Sequence, residues 1–122
     1  MPRKEKQPTT LTELQLQTLK EWQKYYKNPQ AYARKIKTIT RQYDPKARVI
    51  LFGSTIKGTA KPDSDIDLLI ITKLANNTNN RIKLRVEIAK QIDDNTPFQI
   101  HIITPQEYNN WYKKFINKHI EI

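Results

Sequence analysis

Cysteine is absent from the 122 residues, so neither disulfides nor thiolate metal sites are open to the chain, and two histidines make a zinc centre unexpected. A reducing, cytoplasmic setting is compatible with that composition. Glycine is nearly as scarce: Gly53 and Gly58 are the only two, where average usage of about 7% supplies several more. Long apolar runs are missing too. The run 68–71 is among the longest, far short of the roughly 20 residues that cross a bilayer. The charged start Met1-Pro2-Arg3-Lys4-Glu5-Lys6 has no apolar stretch behind it, which argues against a secretory signal. These absences predict a soluble chain with no membrane contact. The length suits one domain, without a separate substrate-binding unit.

What is abundant is positive charge: 22 Lys and Arg against 12 Asp and Glu, a formal net charge of +10. That balance suits an anionic partner such as a nucleotide, a nucleic acid or an acidic protein. It equally suits a cationic surface that keeps the chain in solution, and charge alone does not separate the two.

Residues 1–9 read as a flexible basic arm, because prolines and charges there offer nothing periodic to bury. The remainder, 10–122, reads as a single domain with a helical part at 10–44 and a motif-bearing core at 47–108. Thr10-Leu11-Thr12-Glu13 has the pattern of a capping box, and Leu16, Leu19, Trp22 and Tyr26 follow it at helical spacing. Asn28-Pro29 opens a second helix whose stripe is Tyr32, Ile36, Ile39 and Tyr43, stopped at Asp44-Pro45. Aromatic residues at this spacing predict core packing rather than a base-stacking platform.

Three short β-branched and apolar runs predict strands at 48–52, 66–71 and 98–103. Between the last two, Ile82, Leu84, Val86, Ile88, Ala89 and Ile92 predict a helix over 80–93 with a broad apolar face, preceded by a polar loop at 76–80. Thr104-Pro105-Gln106-Glu107 is a second capping box, and Tyr108, Trp111, Tyr112 and Phe115 predict a final helix behind it. Alternating strands and helices predict an α/β (α+β) fold: a small mixed sheet of about three or four strands flanked by helices.

Both glycines fall in Phe52-Gly53-Ser54-Thr55-Ile56-Lys57-Gly58, at the end of the first strand. A residue without a side chain lets backbone amides approach an anion, Ser54 adds a hydroxyl donor, and Thr55–Lys57 is expected to form a short helical turn. Beyond it, Asp65-Ile66-Asp67 places two carboxylates at i and i+2 on one face of an otherwise apolar strand. Two like charges held together repel unless a cation sits between them, and magnesium favours carboxylates together with substrate phosphates. A Gly-Ser turn alone is ordinary, and so is a lone Asp-x-Asp. Both together at fixed spacing are expected by chance on the order of once in ten thousand chains.

Gly53-Ser54, Gly58 and Asp65-Ile66-Asp67 together resemble the signature of the DNA polymerase beta-like nucleotidyltransferase superfamily, and the short length resembles its minimal nucleotidyltransferases. The resemblance covers roughly residues 47–108. It implies transfer of a nucleoside monophosphate from ATP or another nucleoside triphosphate to a hydroxyl, with Mg2+ held by Asp65 and Asp67 and the phosphates by Gly53 and Ser54, helped by Lys57 and Gly58. Lys61 reads as part of a solvated loop. The family's third carboxylate aligns with His101, with Gln99 on the same face. This leaves three readings open: His101 is a neutral metal ligand or general base, the acid comes from elsewhere, or the chain is a catalytically inert nucleotide- or RNA-binding module. Members that resemble this chain often act as the antitoxin of a HEPN-type toxin, which implies a protein partner; a homo-oligomer is the other expectation.

Overall fold

The computed structural model describes residues 10–122, and the basic arm expected at 1–9 lies outside them. Helix α1 (Leu11–Lys27) starts where the Thr10 hydroxyl accepts from the Glu13 amide, and α2 (Pro29–Arg41) where the Asn28 side chain accepts from the Ala31 amide. Such caps satisfy first-turn amides that no helical carbonyl reaches. The buried stripes are narrower than their periodicity predicts. Residues 11–17 of α1 are exposed throughout, so Leu16 is outside the core; Tyr25 is the side chain that enters it, edge-on to Tyr32 and Phe98 at ring distances of 4.6 and 5.8 Å. In α2 the core face is Ala33, Ile36, Ile39 and Thr40, whereas Tyr43 falls past the last turn and is exposed.

Strands β1 (Arg48–Phe52), β2 (Ile66–Ile71), β3 (Phe98–Ile103) and β4 (His119–Glu121) form one mixed sheet in the order β3-β2-β1-β4. β1 runs antiparallel to β2 and β4, and β2 is parallel to β3. That parallel pair needs a crossover, provided by a 3-10 turn (Lys73–Asn76) and α4 (Thr78–Gln91). Helix α4 begins inside the stretch expected to be a loop, because the Asn77 side chain caps it by accepting from the Asn79 and Asn80 amides. Its buried face is Leu84 and Ile88, with Ile82 and Val86 exposed. The short β4 extends the sheet past the 47–108 stretch. Arg48 anchors it with two hydrogen bonds to Glu121, of 2.8 and 2.6 Å, which hold the Glu121 carboxyl below its ordinary range.

Alternation along the strands divides the core in two. One face presents Leu51, Ile66, Leu68 and Ile70 to the helical side chains Tyr25, Ile36, Leu84 and Ile88. The other presents Ile50, Leu69, Ile71 and Ile103 to Tyr108, Tyr112 and Ile116. The cover on this second face starts at Thr104, whose capping box with Glu107 forms both of its bonds. It continues through Pro105–Glu107, a π-helical Tyr108–Tyr112 and Lys113–Phe115. The aromatic stripe expected here splits into two i, i+4 rows: Tyr108 and Tyr112 pack on the sheet, while Trp111 and Phe115 stay exposed.

Asp44, expected only as a helix stop, is a buried carboxylate. Burial pushes its carboxyl up, but hydrogen bonds from the Thr72 hydroxyl (2.7 Å) and the Lys46 and Lys73 amides outweigh that and leave it below its ordinary value. It ties the turn after α2 to the end of β2.

Candidate functional site

The chain leaves β1 through Gly53, whose φ of 84° and ψ of −163° exclude most side-chain-bearing residues. Space demands glycine as well, since a Cβ at this position would land on the Asp67 carboxylate. Phe52 and Asp67 are partners in the antiparallel register of β1 and β2, which sets the carboxylate against the turn. Next, Ser54–Lys57 forms α3, the expected single helical turn. The Ile56 and Lys57 amides donate back to the Gly53 carbonyl at 3.2 and 3.0 Å, and Gly58, left-handed at φ 77°, closes the turn with its amide on the Ser54 carbonyl. The amides that lead such a turn have no helical carbonyl to bond and can serve an anion.

Asp65 is exposed just before β2, and Asp67 is half-buried inside it. Burial pushes the Asp67 carboxyl above its ordinary value; His101 pulls it part of the way back, and the charge of Asp65 adds to the rise. Two side chains fix the entry to β2: the Tyr26 hydroxyl donates to the Ser64 carbonyl at 2.9 Å, and the Thr55 hydroxyl to the Asp65 carbonyl at 3.3 Å. Neither stands out in the sequence as part of a site. For Tyr26 a signal exists, because a tyrosine on a core-facing stripe needs a partner for its hydroxyl.

His101 is brought to the carboxylates. β3 pairs with β2 so that Gln99 faces Asp67 and His101 faces Leu69 in the Cα register, yet Gln99 is exposed while His101 Nε2 lies 3.7 Å from Asp67 Oδ1. The imidazole sits between Phe52 and Tyr112, at ring distances of 5.8 and 6.3 Å. Lys57, Gly58 and Lys61 are exposed, and the hydrogen bonds of Lys61 are made by its backbone, whose amide donates to the Ser64 hydroxyl at 2.7 Å and whose carbonyl accepts from the Ser64 amide at 3.0 Å.

The donor set suits a hard divalent cation that arrives with ligands of its own. Magnesium binds through one or two carboxylates plus phosphate oxygens and water, and Asp65 and Asp67 are the carboxylates that could supply the protein's share. Among the described residues no three His, Asp or Glu side chains group closely enough to hold a metal by themselves. Nor, among those residues, is any helix long and apolar enough to cross a membrane.

Residues 33–120 match the family model described as a nucleotidyltransferase domain. No curated protein matches the sequence. Among solved structures, a candidate nucleotidyltransferase is 31% identical, with a TM-score of 0.61 over 73% of this chain and 95% of that one. A second, from Sulfolobus solfataricus, shares the fold at 19% identity and a TM-score of 0.51, over 94% and 87% of the two chains. A third, a mutant of the toxin-antitoxin MntA-HpeT, is 19% identical with a TM-score of 0.49 over 73% and 70%, too loose a match to carry an argument. The family match takes in β1 to β3, the start of β4 and the glycine turn, carboxylate pair and His101, and on that ground the chain belongs to the nucleotidyltransferase domain family.

Proposed function

We propose that the protein transfers a nucleoside monophosphate, AMP in the first instance, from a magnesium-bound triphosphate to a hydroxyl of a protein, nucleic acid or small molecule. The observation that carries this reading is the shared corner of Gly53 and Asp67, where a glycine turn and a strand carboxylate touch so closely that no side chain fits between them. In this reading the Gly53-Ser54 amides and the Ser54 hydroxyl receive the β and γ phosphates, with Lys57 adding charge beside them. Asp65 and Asp67 hold the metal. Bound there, magnesium supplies neutralising charge at the α-phosphate and at the departing pyrophosphate. His101, standing at Asp67, accepts the proton of the attacking hydroxyl on Nε2 as the bond from that oxygen to the α-phosphorus forms and the bond to pyrophosphate breaks. In this reading a protein partner or another copy completes the acceptor pocket. Service as the antitoxin of a HEPN-type toxin is the form of partnership we propose.

A second reading has its own support: His101 stands where the family resemblance calls for an acid, and among the described residues no three-ligand group forms. On that reading the chain binds nucleotide or RNA without turning it over. Incubation with magnesium and ATP labelled at the α-phosphate, with and without host extract, separates the two. Transfer by the native protein that disappears in the Asp65→Asn, Asp67→Asn double variant supports catalysis. Equal background from both, with calorimetry still detecting magnesium-ATP on the native protein, establishes the binding module instead.

A further inference from the structure

Outside the carboxylate corner, the C-terminal covering segment carries two large aromatic side chains that the fold leaves in solvent. Trp111 is 61% and Phe115 63% exposed, and their rings lie 4.9 Å apart at 45°. One helical turn separates them, and unlike the neighbouring row Tyr108 and Tyr112 they do not pack on the sheet. Their surroundings are distinctive in the sequence: residues 108–120 contain no Asp or Glu, and they interleave the aromatics with Lys113, Lys114, Lys118 and with Asn109, Asn110 and Asn117. All six of those polar residues are exposed. The other exposed apolar clusters differ. Ile82 and Val86 on α4 are aliphatic and have Glu87 beside them, and Leu11, Leu14 and Leu16 on α1 enclose Glu13.

We propose that Trp111 and Phe115 form a stacking platform for single-stranded nucleic acid, a binding site separate from the Gly53-Asp67 corner. Exposed aromatic faces accept any unpaired base, and flanking lysines neutralise the phosphates between successive bases, the two elements of sequence-tolerant single-strand binding. The lysines favour a polyanion, since the acid that lines the cavity beside Trp111, Glu107, is already ion-paired with Arg81, and the amides of Asn109, Asn110 and Asn117 supply donors and acceptors for base edges.

The test is fluorescence anisotropy of a labelled single-stranded RNA of twelve nucleotides with the full chain, in EDTA and without nucleotide, so that the metal site plays no part. The Trp111→Ala, Phe115→Ala double variant is expected to bind at least about tenfold more weakly, with Trp111→Tyr recovering most of the loss, since stacking contributes strongly per base. Lys113→Ala, Lys114→Ala is expected to flatten the salt dependence by about 1.4 in log–log slope, at roughly 0.7 per phosphate contact. An abasic strand of equal length is expected to bind as weakly as the double alanine variant binds RNA. The proposal is overturned if the double alanine variant binds RNA like the native protein, or if the abasic strand or polyglutamate matches RNA at equal charge, which would mark an electrostatic or acidic-protein surface. Magnesium-ATP calorimetry on the same variants, expected unchanged, keeps this outcome distinct from any failure of the nucleotide site.

Discussion

At the scale of single residues, Gly53 is the most constrained position in the molecule. Two independent requirements meet there: a positive φ of 84°, and the Asp67 carboxylate in the space a Cβ would take. Gly53→Ala is therefore expected to cost stability, by about 1–3 kcal/mol for the backbone alone, and to displace the Asp67 carboxylate. Urea titration measures the first effect. Magnesium-ATP calorimetry measures the second, expected as a loss of at least tenfold in affinity. Gly58 is the contrast: its φ is also positive, but no atom lies within 4 Å of where a Cβ would be, so Gly58→Ala is expected to show the backbone cost alone and leave binding near native. Equal loss of binding in both variants would mean that the turn's conformation matters and its contact with Asp67 does not. The glycine turn and the carboxylate pair were legible as a motif because rare glycines and paired carboxylates stand out of an apolar background, and the structure puts Gly53 against Asp67. Asp44 was not legible, since Asp-Pro reads as a helix stop and its partners, Thr72 and Lys73, lie far along the chain.

Elements were legible where their periodicity matched their burial. β1 and β2 are apolar at all but one position each because both faces are covered, and β3 keeps enough apolar positions around Gln99 and His101, which is why their runs could be bounded from the sequence. β4 has only three residues and is joined to β1 by backbone pairing and by the ion pair between Arg48 and Glu121, contacts that no local pattern announces. Helix α1 was foreseen as a stripe, but its function in the fold was not. It reaches both approaches to the carboxylate edge: Tyr26 bonds the Ser64 carbonyl ahead of Asp65, and the Trp22 indole donates to the Asn95 carbonyl at 3.0 Å, ahead of β3 and His101. Tyr26→Phe keeps the ring packing and deletes one donor, leaving a part-buried carbonyl unpaired at a cost of about 1–2 kcal/mol. If α1 positions the carboxylates, magnesium-ATP affinity falls in this variant while the urea midpoint moves only by that small amount. A native affinity with the same shift in midpoint would reduce the bond to a purely structural one.

At the scale of the whole molecule, the family match begins at residue 33, inside α2, so α1 lies before the matched region. The packing nevertheless makes α1 part of the domain. Tyr25 is 1% exposed and fills the space between Tyr32 and Phe98, over the same sheet face that buries Leu68 and Ile70. Truncating a buried aromatic costs about 3–5 kcal/mol, against a typical domain stability of about 5–15 kcal/mol. Removing residues 1–27 deletes Tyr25 together with Trp22 and Tyr26, strips cover from Ala33 and Ile36, and frees both loop anchors. The shortened chain, though it keeps every residue of the family match, is expected to lose its cooperative thermal transition and to expose apolar surface to a hydrophobic dye. Tyr25→Ala in the full chain grades the same effect, with a lowered midpoint and a transition that stays cooperative. A truncated protein that melts cooperatively near the native temperature would show instead that α1 rests on a core already complete without it, and the loss of nucleotide affinity expected of Tyr26→Phe would then lose its structural basis.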